Sequence, residues 1–128
     1  MKLSDHQDQF SYYVACLILF CRSNEVKVTF GEAYRTKDQQ LLYRYGAGLK
    51  DDVGGLKLTP RPIRSKTLKS KHLQRLAVDL NFFIKGKITY EKEDLQFIGD
   101  YWESLDERNE WGGNWESLED CPHFQYNA

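Results

Sequence analysis

The chain has 128 residues, 41% hydrophobic and 29% charged, which is typical of a globular domain and unlike a disordered chain. Its formal net charge of −1 contains no basic excess, so the composition does not favour a nucleic-acid-binding protein. The three cysteines form no C-x-x-C motif and favour a reducing compartment. The start is polar, and the apolar run over 14–21 is too short to span a bilayer. We therefore expect neither a signal peptide nor membrane insertion.

Periodicity predicts three elements in the first half of the chain. Apolar residues at helical spacing predict a helix over 5–22, with Ser4 or Asp5 as its cap. Alternating apolar and polar residues predict a strand over 25–30. A second helix is predicted to begin after Thr36 and to end near the glycines at 46–48. Residues 49–70, with two prolines and a Gly-Gly pair, are predicted to form a long loop.

The second half predicts a hairpin, built from a strand over 76–83, a turn at 85–86 and a strand over 87–90. The remaining elements are a helix over 94–107, an aromatic loop over 111–115 and a short strand over 123–126. Hairpin-paired strands with helices on one side predict an α+β fold with a small antiparallel sheet. No domain boundary is visible, so we expect one domain over 1–128.

Two histidines that lie far apart in the sequence each have a carboxylate at short range. His72 is followed seven residues later by Asp79, and His123 is preceded three residues earlier by Asp120. Two imidazoles and one carboxylate can form a three-ligand zinc site whose fourth position stays open to water. Asp120 then lies where a general base is needed.

Each segment also has a simpler interpretation. Asp79 could face solvent on a half-buried strand, because antiparallel strands often have one hydrated face. Asp120 and His123 alone could be a turn aspartate and a surface histidine, although Pro122 makes the link between them rigid. Cys121 is interpreted as a core or supporting residue rather than a ligand. Asn81 and Tyr126 are candidates for contacts behind the ligands, and Tyr126 is equally suited to packing.

Two further features have open interpretations. The basic cluster within 61–71 is either a solvated loop or a rim that attracts an anionic substrate. Trp111 and Trp115 either pack their loop against the core or stack on a bound ligand.

Four motifs in order make the sequence similar to a known family. Ser-x-His at 70–72, Ala-x-Asp at 77–79, Trp-Gly-Gly at 111–113 and Asp-x-Pro-His-Phe at 120–124 resemble the zinc D-Ala-D-Ala carboxypeptidase and dipeptidase family. The most similar branch is the L-alanyl-D-glutamate endopeptidases of phage endolysins and bacterial wall hydrolases. The resemblance extends from about residue 30 to residue 124. It implies the fold shared by these peptidases and the Hedgehog signalling domain.

The resemblance also implies residue roles. His72, Asp79 and His123 correspond to the zinc ligands, and Asp120 corresponds to the catalytic acid/base. Further positions match an arginine near the scissile carbonyl, a nearby glutamine and a substrate-positioning serine: Arg35, Gln39 or Gln40, and Ser70. Two positions depart from the family, which often has glycine where this chain has Arg75 and commonly an acidic residue where it has Gln125.

The function implied is that of a zinc-dependent peptidoglycan peptidase that hydrolyses the L-Ala-D-Glu bond of the stem peptide. Two alternatives stay open: a D-Ala-D-Ala carboxypeptidase or dipeptidase, and a non-catalytic, zinc-stabilised wall-binding module. A metal-free interaction protein would require the motif match to be accidental. We expect a monomer that is made in the cytoplasm, binds no nucleic acid, and acts on the cell wall after release, for example through a holin.

Overall fold

The computed structural model describes all 128 residues. The three α-helices are α1 Leu3–Ser23, α2 Lys37–Tyr45 and α3 Lys92–Leu105. The seven strands are β1 Lys27–Phe30, β2 Ala47–Asp52, β3 Gly55–Pro60, β4 Ala77–Ile84, β5 Lys87–Thr89, β6 Asn109–Trp111 and β7 His123–Tyr126. Short 3-10 helices cover Lys71–Gln74 and Gly112–Asn114. The architecture is the predicted α+β class.

The main sheet is antiparallel and centred on β4. Its strands follow the order β1-β4-β7-β6, and β5 pairs with a further part of β4. One face of the sheet packs against α1 and α3 through a single buried cluster that contains Leu17, Phe82, Trp102, Trp111, Phe124 and Tyr126. The opposite face is therefore free to carry polar side chains, because alternate residues of a strand point to opposite faces. No helix combines the length and mean hydropathy needed to cross a bilayer.

The predicted start of α1 was wrong in its detail. The helix begins at Leu3, and the backbone N–H of Lys2 donates to the Asp5 carboxylate at 2.9 Å. Asp5 therefore accepts from a backbone N–H that has no partner within the helix. It does so from inside the first turn, whereas the sequence predicted it at the N-cap. The prediction for α2 is confirmed: the Thr36 hydroxyl accepts from the Gln39 N–H at 3.2 Å, and Gly46 ends the helix with φ 70°.

The predicted loop over 49–70 was wrong in its first half, where β2 and β3 form a two-stranded hairpin. Gly54 at its turn has φ 93°, a conformation that glycine adopts without strain. The leucines of this hairpin lie on its surface, and Leu58 is 72% exposed. No face of the hairpin is buried, and the alternation in its sequence is limited to Leu56–Thr59, between the Gly-Gly pair and Pro60 that predicted a loop. β6 was also missed, since it is only three residues long.

Candidate metal centre and active site

Strand pairing brings Asp79 and His123 together. The two residues are direct partners across β4 and β7, so their side chains share one face of the sheet. His72 approaches from the 3-10 helix that precedes β4. The hydroxyl of Ser70 caps this helix by accepting from the His72 N–H at 3.2 Å. Arg75 ends the helix in the left-handed region with φ 59°, which turns the chain back toward β4.

The three side chains converge on one point. Oδ1 of Asp79 lies 3.3 Å from Nε2 of His72 and 3.3 Å from Nδ1 of His123. The three ligand atoms all lie within 4.8 Å of one another. Two ligands that each lie about 2.1 Å from a tetrahedral zinc ion are about 3.4 Å apart. The carboxylate-to-imidazole distances therefore fit a zinc site.

Hydrogen bonds to the outer ring nitrogens orient both imidazoles. Nδ1 of His72 lies 2.8 Å from the carbonyl oxygen of Ala33, and Nε2 of His123 lies 2.7 Å from Oε1 of Gln125. Each oxygen accepts a hydrogen bond from the ring N–H it faces, which leaves the other ring nitrogen with a lone pair directed at Asp79. Metal-ligating histidines are usually held in this way.

Asp79 carries the negative charge of the site. Burial alone would raise the pKa of this carboxyl, but the adjoining imidazoles of His123 and His72 hold it well below its usual range. Gly31 lies against it, since a Cβ on that glycine would come within 3.2 Å of the Asp79 Cβ. The backbone N–H of Asp79 donates to the Glu32 carbonyl at 2.8 Å, which fixes this part of β4.

Asp120 has a half-buried carboxylate that forms no hydrogen bond within the chain, and it lines the same cleft as the three converging residues. Burial raises the pKa of Asp120 above its usual value. The charge of His123 lowers this pKa, and the charge of Asp79 raises it. Its backbone is fixed: the N–H donates to the Gly112 carbonyl at 2.9 Å, and a Cβ on Gly112 would meet the Asp120 carbonyl at 2.3 Å. An unpaired carboxylate with a raised pKa is suited to proton transfer.

Arg35 also lines the cleft and is held by several contacts. Its Nε donates to Glu32, and its Nη1 donates to Oε1 of Gln40 at 2.8 Å and to the Ser70 hydroxyl at 3.3 Å. Nη2 forms no hydrogen bond within the chain. The ring of Tyr43 packs against the guanidinium, 4.8 Å from Cζ. One end of Arg35 is therefore fixed while the other can donate into the cleft.

The two glutamines left open by the sequence occupy different environments. Gln40 is 1% exposed, and its amide nitrogen donates to the Ser65 hydroxyl at 2.8 Å and to the Thr67 carbonyl at 2.6 Å. Gln39 contributes its backbone N–H to the start of α2. Gln40 is therefore the glutamine that contacts Arg35. Both ends of the Gln40 amide are hydrogen-bonded within the chain, the oxygen to Arg35 and the nitrogen to Ser65 and Thr67. Gln40 therefore supports Arg35 and the loop that follows β3.

The two candidates for contacts behind the ligands also differ. Tyr126 lies in the core, on the opposite face of β7 from His123. Asn81 lines the cleft and accepts from the Tyr90 hydroxyl at 3.1 Å. The position behind His123 is taken by Gln125, which alternation along β7 places on the same face.

The cleft has a volume of about 1190 Å³ and two chemically different walls. One wall carries four cations that form no salt bridge in the chain: Arg64, Lys66, Lys69 and Lys71. The other wall, formed by residues 115–120, contains Trp115, whose ring centroid lies 5.0 Å from that of His123, together with Glu119 and Asp120.

The other tryptophan and the nearby cysteine belong to the core. Trp111 is fully buried, so its indole packs the protein interior. Burial raises the pKa of the Cys121 thiol to about 11, which keeps this thiol protonated. Its interpretation as a supporting core residue agrees with this environment.

Comparisons with known proteins agree with this geometry. The sequence profile of the D-alanyl-D-alanine carboxypeptidase family matches residues 64–126, a segment that contains His72, Asp79, Asp120 and His123. Among solved structures, the chain is similar to the L-Ala D-Glu endopeptidase ChiX of Serratia marcescens. The identity is 27% and the TM-score 0.55, over 79% of this chain and 67% of the ChiX chain. No curated protein sequence matches the chain. The family match, which covers slightly less than half of the chain, and the shared fold together support a metallopeptidase that acts on peptidoglycan, similar to the D-alanyl-D-alanine carboxypeptidase family.

Proposed function

We propose that the chain is a zinc-dependent peptidoglycan peptidase that cleaves the L-Ala-D-Glu bond of the stem peptide. The observation that carries this proposal is the convergence of two imidazole nitrogens on Oδ1 of Asp79, beside the unpaired carboxylate of Asp120. Three protein ligands leave a coordination position open, whereas structural zinc sites usually have four protein ligands. His72, Asp79 and His123 would hold the metal.

The residues around this point can perform amide hydrolysis. Zinc, when bound, lowers the pKa of water and polarises a carbonyl group. Asp120 accepts the proton of the attacking water and delivers it to the leaving amine, a transfer that its raised pKa favours. Arg35 donates from its free Nη2 to the oxygen that becomes negative as the amide carbonyl is attacked. Glu32, Gln40 and Ser70 hold that guanidinium in place.

Two observations support the L-Ala-D-Glu bond as the target. The chain is similar to an endopeptidase of that specificity over 79% of its length. In addition, the unpaired cations Lys66, Lys69 and Lys71 line one wall of the cleft and can attract the free carboxylate of D-glutamate. The proposal includes action on the cell wall as a monomer after release from the cytoplasm.

The second candidate is a D-Ala-D-Ala carboxypeptidase, which the description of the matching family favours. The same ligands and the same acid/base would serve that reaction. The basic wall would then attract the carboxylate of the terminal D-alanine.

Mass spectrometry of products separates these functions. The zinc-loaded protein is incubated with muropeptides that carry intact pentapeptide stems, and Asp120→Asn serves as the inactive control. Cleavage of L-Ala-D-Glu exposes a new amino group on D-glutamate and leaves L-alanine on the muramic acid. Free D-alanine as the only product would instead establish the carboxypeptidase. Binding to peptidoglycan without any product would establish a non-catalytic module.

A further inference from the structure

A chain of hydrogen bonds leads away from His123 along the sheet. Nε2 of His123 lies 2.7 Å from Oε1 of Gln125, and Nε2 of Gln125 donates to Oδ1 of Asn127 at 2.8 Å. Nδ2 of Asn127 then donates to Oε2 of Glu110 at 2.6 Å. We name these four residues, His123, Gln125, Asn127 and Glu110, the His123–Glu110 relay.

The Glu110 carboxylate determines the direction of every bond in the relay. A carboxylate only accepts, so Asn127 turns its amide nitrogen toward Glu110 and its oxygen toward Gln125. Gln125 must then direct its own nitrogen at Asn127 and its oxygen at His123. The only arrangement left is a proton on Nε2 of His123, so the carboxylate settles both amide orientations and one ring proton.

Register explains how a residue of β6 reaches a residue of β7. Glu110 and Gln125 are direct partners across these strands, and alternation places both on the face that carries Asp79 and His123. Trp115 contacts both ends of the relay. Its indole N–H donates to Oε1 of Glu110, and its ring centroid lies 5.0 Å from that of His123.

We propose that Glu110 is a positioning residue for the metal site and acts on His123 through Asn127 and Gln125. A carboxylate that accepts directly from a metal-ligating histidine fixes the ring and raises its basicity as a ligand. This chain has the neutral Gln125 next to the ring, and the carboxylate lies two side chains further along. The relay holds Nε2 protonated, leaving the Nδ1 lone pair directed toward Asp79.

The inference rests on the metal site of the proposed function but not on the substrate. Glu110→Gln keeps the size of the side chain and removes the charge that orders the relay. Glu103→Gln is the matched control, because Glu103 also accepts two hydrogen bonds, from the Trp111 N–H at 2.9 Å and from Asn114 at 3.0 Å, but lies outside the relay. Urea unfolding of both variants checks that their folds are intact.

Zinc affinity, measured by competition with a chromophoric chelator, gives the first result. Loss of a partner behind a metal ligand typically weakens metal binding about 10- to 100-fold, which is the expectation for Gln125→Leu. Glu110→Gln should weaken it roughly 3- to 10-fold because two amides separate Glu110 from the ring. Glu103→Gln should match the wild type. In the double variant Gln125→Glu with Glu110→Gln, a carboxylate contacts the ring directly, so affinity should return to the wild-type value.

Nitrogen-15 NMR of the His123 ring gives a second, metal-free result. In the zinc-free wild type the Nε2 proton should be protected from exchange with water, and its resonance should be shifted downfield. The resonance should move upfield in Glu110→Gln but not in Glu103→Gln. Equal zinc affinities and equal proton shifts in Glu110→Gln and Glu103→Gln would overturn the relay. A wild type that binds no zinc would instead overturn the metal in the proposed function, while the proton shift still tests the relay.

Discussion

The indole N–H of Trp111 donates to the carbonyl oxygen of Cys121 at 2.7 Å, which joins the hydrophobic core to the segment between Asp120 and His123. The next carbonyl, that of Pro122, accepts from the Leu80 N–H at 2.9 Å. The segment that carries the candidate base and one candidate ligand is therefore fastened at successive peptide units. Its geometry depends on the position of a core tryptophan.

Gly99→Ala should destabilise the protein by moving Trp111. A Cβ on Gly99 would lie 2.1 Å from Cε3 of the Trp111 ring, a contact that forces the ring or α3 to shift. Alanine favours a helix by about 1 kcal/mol over glycine, but overpacking costs about 1–3 kcal/mol. We expect a lower urea midpoint and lower peptidase activity. Asp100→Ala, on the exposed neighbouring position, is the control and should change stability by less than about 0.5 kcal/mol. Equal midpoints for the two variants would contradict this packing argument.

The three histidines provide a direct test of the ligand assignment. His123→Ala should lose the single zinc ion that we expect in the wild type, because two ligands do not form a stable site. His6→Ala is the control, since His6 lies on α1 and packs near Tyr126 on the core side of β7. Elemental analysis after dialysis measures both. Full zinc in His123→Ala, or loss of zinc in His6→Ala, would refute the assignment.

Asp120→Asn should separate zinc binding from catalysis. The substitution retains the size of the side chain but removes its ability to accept the water proton, and general acid/base groups contribute about 10²- to 10⁴-fold to rate. We expect kcat to fall by that factor with unchanged zinc content. Glu119→Gln, which alters the adjacent carboxylate on the same wall, should retain most activity. Loss of zinc in Asp120→Asn would move this residue into the ligand set, and full activity would place the base elsewhere.

The sequence predicted the converging residues but not their supports. His72, Asp79 and His123 were predicted because each histidine has a nearby carboxylate and because the family motifs contain all three; strand pairing then brings Asp79 and His123 together. Gln125 could have been placed behind His123 by strand alternation, since it lies two residues further along the strand. Glu110 could not, because its position depends on the register between β6 and β7.

Tertiary packing distinguishes neighbouring residues of the same type that the sequence alone could not distinguish. Gln39 and Gln40 are adjacent and chemically identical, and only the orientation of α2 shows that Gln40 reaches Arg35. Trp111 packs in the core, which is one of the two interpretations, whereas Trp115 lines the cleft, where stacking on a ligand stays a prediction. Such choices require the packing of distant segments, which local periodicity does not contain.

Stability at low pH should depend on Asp106, which is remote from the cleft. Hydrogen bonds from the Arg108 side chain, both at 3.0 Å, hold the pKa of this carboxyl well below its usual range; burial opposes them, and the Tyr13 hydroxyl at 2.7 Å adds to the effect. The unfolded chain, where Asp106 has its ordinary pKa near 3.8, therefore binds more protons than the folded chain in this region. The stabilisation is complete above that value and is lost as the pH falls toward the folded pKa.

Asp106→Asn should accordingly lower the free energy of unfolding at pH 7 by about 1–2 kcal/mol, the contribution of hydrogen bonds to a charged group. The difference from the wild type should shrink as the pH falls from about 5 to about 2, because the wild type loses this contribution there. Urea unfolding at a series of pH values, on zinc-free protein, measures the effect. Asp8→Asn, at an exposed position of α1 without side-chain hydrogen bonds, should follow the wild type throughout. A constant difference between Asp106→Asn and the wild type across this pH range would show that ionisation of Asp106 is not the source of the stabilisation.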